Sequence, residues 1–117
     1  MNREIKFRAW NGEAMEYGGF SIHATGEVFE ISPLSNVKKD SPLMQFTGLK
    51  DKNGKEIYEG DILKSESKEH PFIFDVVFRD GSYYMGQWPT YLCEFNLKTL
   101  KYEVIGNIFE NPNLLEK

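Results

Sequence analysis

The chain has 117 residues, and nine Phe, six Tyr and two Trp stand within a hydrophobic share of 40%, enough for a core of its own and too much for a disordered chain. Its 18 acidic and 14 basic residues leave a formal charge of −4, and no segment gathers the Lys and Arg that binding to duplex DNA demands. The one cysteine, Cys93, excludes an internal disulfide, a multi-cysteine zinc site and a CxxC redox pair, which suits a reducing cytosol.

The first ten residues, MNREIKFRAW, alternate charged with apolar side chains where a signal peptide has an unbroken apolar stretch. No run approaches the roughly 20 apolar residues of a membrane helix, so a cytoplasmic protein is expected. Apolar residues recur at a spacing of two far more often than at three and four, which argues for strands.

Ile5, Phe7 and Ala9 alternate with Lys6, Arg8 and Trp10, and Asn11-Gly12 follows as a pair suited to a type I′ turn, so a first hairpin is predicted with its return strand from Ala14. Gly18-Gly19 predicts a bulge or sharp bend before Phe20, Ser21 and Ile22, and Ala24 to Glu27 turns the chain into Val28 to Ile31. Residues 32–42, SPLSNVKKDSP, have no clear period and read as a connection between two sub-lobes, about 1–31 and 43–110, of a single domain spanning 1–117.

Beyond the connection, Leu43 to Leu49 reads as a strand, followed by a turn at Asp51-Lys52-Asn53-Gly54, the strand Glu56-Ile57-Tyr58, a bend at Glu59-Gly60-Asp61, and Ile62-Leu63-Lys64. In FIFDVVFR, Phe72, Phe74, Val76 and Phe78 share one face, and Asp80-Gly81 closes the strand onto Ser82 to Met85. Tyr91 to Leu97 and Leu100 to Ile105 predict two further strands, Ile108-Phe109 adds apolar anchors, and NPNLLEK forms a short terminal turn. Cys93 beside Leu92 reads as a small core hydrophobe. The fold expected is mainly β, with a small N-terminal β-hairpin lobe and a C-terminal SH3-like, partly open β-barrel.

Four segments taken in order, EIKFRAWNG (4–12), LMQFTGLKDKNGKEIYEGDIL (43–63), DVVFRDGSYYM (75–85) and EVIGNIFENPNLL (103–115), resemble the YopX family of phage and prophage proteins. The resemblance is weakest over residues 13–42, where such proteins vary in length and composition. Asn11 stands where the family more often has aspartate, and Phe46 and Phe109 where it more often has tyrosine. The resemblance implies a β-rich fold, a phage or prophage gene in a bacterial host, and no catalytic residues to carry over.

Asp51, Glu56, Glu59 and Asp61 are hard oxygen ligands of the kind that hold Mg²⁺ or Ca²⁺, but Lys50, Lys52, Lys55 and Lys64 interleave with them. A solvated hairpin of mixed charge is the better account, with Gly60 in a glycine-specific conformation and Asp61 capping the bend. His23 and His70 stand among loop-forming residues, and no Ser or Cys motif sets a nucleophile beside either. Neither GxGxxG nor GxxxxGK[ST] occurs, and neither a cofactor nor a metal is expected.

Tyr58, Tyr83, Tyr84, Trp88 and Tyr91 form the candidate binding surface. Such rings stack single-stranded bases, pack across strands, or offer the Tyr- and Trp-rich face that protein interfaces favour. The function expected is a non-enzymatic module that binds a phage or host protein or associates with itself as a homo-oligomer; the alternative is a single-stranded nucleic-acid-binding β-barrel. A metal-dependent hydrolase built on the 51–61 carboxylates is the enzymatic competitor.

Overall fold

The computed structural model describes residues 4–69, 71–86, 92–93 and 101–115. The chain is mainly β, with a single short 3₁₀ turn among the described residues. It divides into two compact units, the first Ile5–Gln45 and the second running from Phe46 onward and including Glu4. The boundary falls inside one strand, and residues 32–42 belong to the first unit.

In the first unit, β1 (Phe7–Trp10) pairs antiparallel with β2 (Met15–Glu16), Ala9 opposite Glu16 and Trp10 opposite Met15. Along its other edge β1 meets the start of β5 (Leu43–Lys50), with Phe7 opposite Gln45 and Ala9 opposite Leu43. The β1–β2 connection is four residues long, where a two-residue turn was expected. Asn11 Oδ1 accepts the amides of Glu13 and Ala14, both at 2.8 Å, and the Asn11 amide donates to the Ala14 carbonyl at 3.0 Å. The side chain thus takes over amides that a tight turn would have paired across the strands.

β3 (Phe20–Ile22) and β4 (Val28–Glu30) form a second hairpin, closed where the His23 amide donates to the Glu27 carbonyl at 2.9 Å. The bend before it depends on Gly19, whose φ is +82° and whose carbonyl accepts the amides of both Ile31 and Ser32. A side chain there would be strained and would press its Cβ to 3.2 Å from the Ser32 Cβ. Ala9, Val28 and Val37 are buried together, with Phe20 and Leu43 packed against them. Arg8, on the charged face of the predicted strand, is nonetheless only 2% exposed. Its Nη1 donates to Tyr17 Oη at 3.3 Å, and its guanidinium lies 5.9 Å from the Tyr17 ring centre.

In the second unit the later half of β5 pairs with β6 (Glu56–Tyr58), Phe46 opposite Tyr58 and Lys50 opposite Glu56. The register shifts between those pairs, where Thr47 Oγ1 donates to the Ile57 carbonyl at 2.7 Å. Then β7 (Asp61–Lys64), β8 (Ile73–Arg79), β9 (Ser82–Met85) and β10 (Glu103–Asn107) build an antiparallel sheet in the order β10-β7-β8-β9. This curled sheet is consistent with the partly open barrel expected. The 3₁₀ turn, Pro112–Leu115, ends the described chain.

β8 follows its period: Phe74 and Val76 are buried, while Phe72 and Phe78 on the same face lie half exposed at its two ends. Asp80 (φ 50°) and Gly81 (φ 80°) both take positive φ, the type I′ geometry predicted for this hairpin. The core gathers Ile57, Leu63, Phe74, Val76, Met85, Leu92 and Tyr102, with Tyr102 edge-on to Phe74 at 4.9 Å between ring centres. Cys93, next to buried Leu92, is half-buried.

Candidate functional site

The predicted aromatic surface is divided by the fold. Tyr58 is 5% exposed and its ring lies 5.5 Å from that of Phe46, so it is a packing residue and offers no face to a base or a partner. Tyr83 packs against the large core and edge-on to Phe78, with ring centres 5.1 Å apart. Tyr84 points to the other face of β9 and is half-buried, with the Arg79 guanidinium 3.9 Å over its ring. Arg79 is itself anchored, Nη1 donating to the Gly86 carbonyl at 2.6 Å. Trp88 and Tyr91 lie outside the described residues.

The carboxylates of 51–61 separate in a different way from the solvated hairpin expected. Asp51 is 7% exposed: Oδ1 accepts the amides of Asn53 (2.8 Å) and Lys55 (2.9 Å), and Oδ2 accepts the Val104 amide (2.9 Å). One side chain therefore closes its own turn and fastens it to β10. Asp61 is buried as well, and its Oδ2 accepts the Tyr58 amide at 2.7 Å across the bend at Gly60, whose φ is +88°. That is the capping role read from the sequence. Glu56 and Glu59 are half-buried and Lys50, Lys52 and Lys55 exposed. Among the described residues no group of three or more His, Cys, Asp or Glu side chains comes together as ligands for a cation. His23 is an exposed loop residue with its ring 4.2 Å from that of Phe29; His70 lies outside the described residues.

A groove in the first unit was not anticipated. It encloses about 480 Å³ and is lined by the 11–19 stretch (Asn11, Glu16, Tyr17, Gly18, Gly19) and by the loop after β4 (Ser32, Leu34, Ser35, Asn36). Glu16 joins the two linings. Its Oε2 accepts Asn11 Nδ2 at 2.7 Å and the Asn36 amide at 2.9 Å, and its Oε1 accepts Ser35 Oγ at 2.7 Å. The Asn11 bond first, then those from Asn36 and Ser35, hold the Glu16 carboxyl below the ordinary carboxylate range. The rim is apolar and open to solvent: Leu34 is 89% exposed and Tyr17 60%. The sequence signals were present, in the Gly18-Gly19 bend and the Ser-rich loop, but nothing local connects Glu16 to a loop about twenty residues away.

The sequence profile of the YopX protein family matches residues 6–116. The chain belongs to the YopX family. Its fold is similar to the crystal structure of protein EF1440 from Enterococcus faecalis, at 31% identity over 98% of this chain and 100% of that one, with a TM-score of 0.73. It is also similar to the crystal structure of protein yopX from Bacillus subtilis, at 28% identity over 95% and 98% of the two chains, with a TM-score of 0.64. No curated protein matches the sequence. In this YopX-family chain the four segments that carried the resemblance supply β1 and its turn, β5 to β7, most of β8 with β9, and β10 with the 3₁₀ turn. Apart from Asn11, the groove is lined by residues from the stretch between the first two of those segments.

Proposed function

We propose that this YopX-family chain is a phage or prophage accessory protein of the bacterial cytoplasm that works by binding another protein, without chemistry of its own, and that the groove of its first unit receives the partner. The observation that carries this reading is the exposure of Leu34 and Tyr17 on the rim of an open groove whose polar floor is already internally bonded. Removing a leucine side chain from water stabilises a complex by about 1.5–3 kcal/mol, so a partner gains from covering that rim. Protein interfaces favour such a mixture of aromatic and aliphatic contact with hydrogen-bonding groups.

Tyr58 and Tyr83 of the second unit are committed to packing, which takes them from a base-stacking platform and from a protein interface alike and leaves the groove as the candidate surface. Affinity capture of the tagged chain from prophage-induced cells, with and without nuclease, tests the reading. A specific protein retained after nuclease treatment is expected. Recovery of nucleic acid alone, or of partners lost to nuclease, would transfer the function to a single-stranded nucleic-acid binder. Light scattering distinguishes a foreign partner from a second copy of the chain.

A further inference from the structure

We infer that the protein segment received by the groove carries a lysine or arginine close to a large aliphatic or aromatic residue. The cation meets Glu16, and the apolar side chain lies against Leu34 and Tyr17. The inference rests on the protein-binding reading and adds the chemistry of the partner to it.

Charge complementarity is the main argument. Among the described residues that line the groove, Glu16 is the one that carries a charge. Its three donors, an amide side chain, a hydroxyl and a backbone amide, are neutral, so they fix the carboxylate in place without cancelling its charge. A carboxylate has about four acceptor directions, and with three of them used one remains, on the side of Oε1, which takes only the Ser35 hydroxyl from this set. The same bonds keep Glu16 ionised into mildly acidic solution.

Among the described residues Glu16 has no ion pair. Arg8 directs its Nη1 to the Tyr17 hydroxyl, and Lys39 pairs with Glu27 at 2.9 Å. Glu13, exposed on the turn that Asn11 organises, adds to the negative side. A phosphate or a carboxylate of a partner would be repelled. A neutral amide would bond to Glu16 less strongly than an ammonium or guanidinium, because it lacks the attraction between opposite charges that an ionised donor adds. Leu34, on the same groove, favours an apolar neighbour.

Selection of a random peptide display library on the immobilised full chain tests this. The enriched peptides should carry Lys or Arg close to Leu, Ile, Phe or Tyr. The best of them is synthesised with arginine and with citrulline, its neutral isostere, and titrated against the unaltered protein. The citrulline peptide should bind about three- to tenfold more weakly at low salt, with the difference shrinking as ionic strength rises. Glu16→Gln should reduce the difference between the two peptides, after its amide spectrum has been checked for an unchanged fold. Enriched peptides without a cation, or a citrulline peptide that binds equally well yet is lost on Leu34→Ser, would overturn the cationic partner and leave protein binding intact. A selection that yields no peptide dependent on Leu34 would overturn both.

Discussion

Among the described residues of the unit from Phe46 onward, a cluster from Ile57 to Tyr102 is buried as one core, whereas the core cluster within residues 5–45 is the much smaller set Ala9, Val28 and Val37. The smaller unit makes up part of the deficit with polar fastening, since Glu16 alone joins the 11–14 turn to the loop that carries Val37. It leaves Leu34, Ile31 and Tyr17 in water, and the larger unit turns Phe74, Val76 and Met85 inward while leaving Phe72 and Phe78 half exposed. On the proposed reading, the sheet of the second unit serves stability, and the exposed rim of the first is the surface kept for a partner.

The comparison can be broken most forcefully in the large core. Phe74→Ala should cost about 3–5 kcal/mol in urea unfolding, as truncation of a fully packed aromatic does. A loss below about 1 kcal/mol would mean that the core does not carry the unit. Next comes Asp51→Asn, which removes a buried charge accepting three backbone amides, two local and one from β10. A loss of roughly 2–3 kcal/mol is expected, together with faster hydrogen exchange at Val104.

A smaller effect is expected at Glu16, where water competes for the carboxylate. Glu16→Ala should speed hydrogen exchange at Asn36 and Val37 while leaving β7 and β8 as protected as before. The same side chain gives the first unit a dependence on acid. Its carboxyl is held below the ordinary value of 4.5, so the stabilisation is fully present above that pH and is lost as pH falls through the lower folded value. Exchange protection of the 35–37 loop should therefore decline in acid, and the decline should be absent in Glu16→Ala.

What was legible in the sequence was local. The period of FIFDVVFR and the positive-φ pair Asp80-Gly81 specify β8, its turn and β9 within fourteen residues, and neither needs distant information. The β-rich fold and the family followed from such segments and their order. Burial that depends on remote partners was not legible. Asp51 looked solvated because one of its partners, Val104, lies 53 positions away, and Tyr58 looked available because a period of two does not say which face will be covered. The Ser-, Pro- and charge-rich 32–42 segment hid its one core residue, Val37, and with it the groove that Glu16 draws together.

The most direct measurement is a paired capture from prophage-induced cells using the wild-type chain and Leu34→Asp under nuclease. Because Leu34 is exposed, the substitution should change stability by no more than about 0.5 kcal/mol, which urea unfolding of the same preparations verifies. The account predicts a nuclease-resistant partner on the wild type and its loss from the variant. An equally stable Leu34→Asp chain that retains the same partner would contradict it.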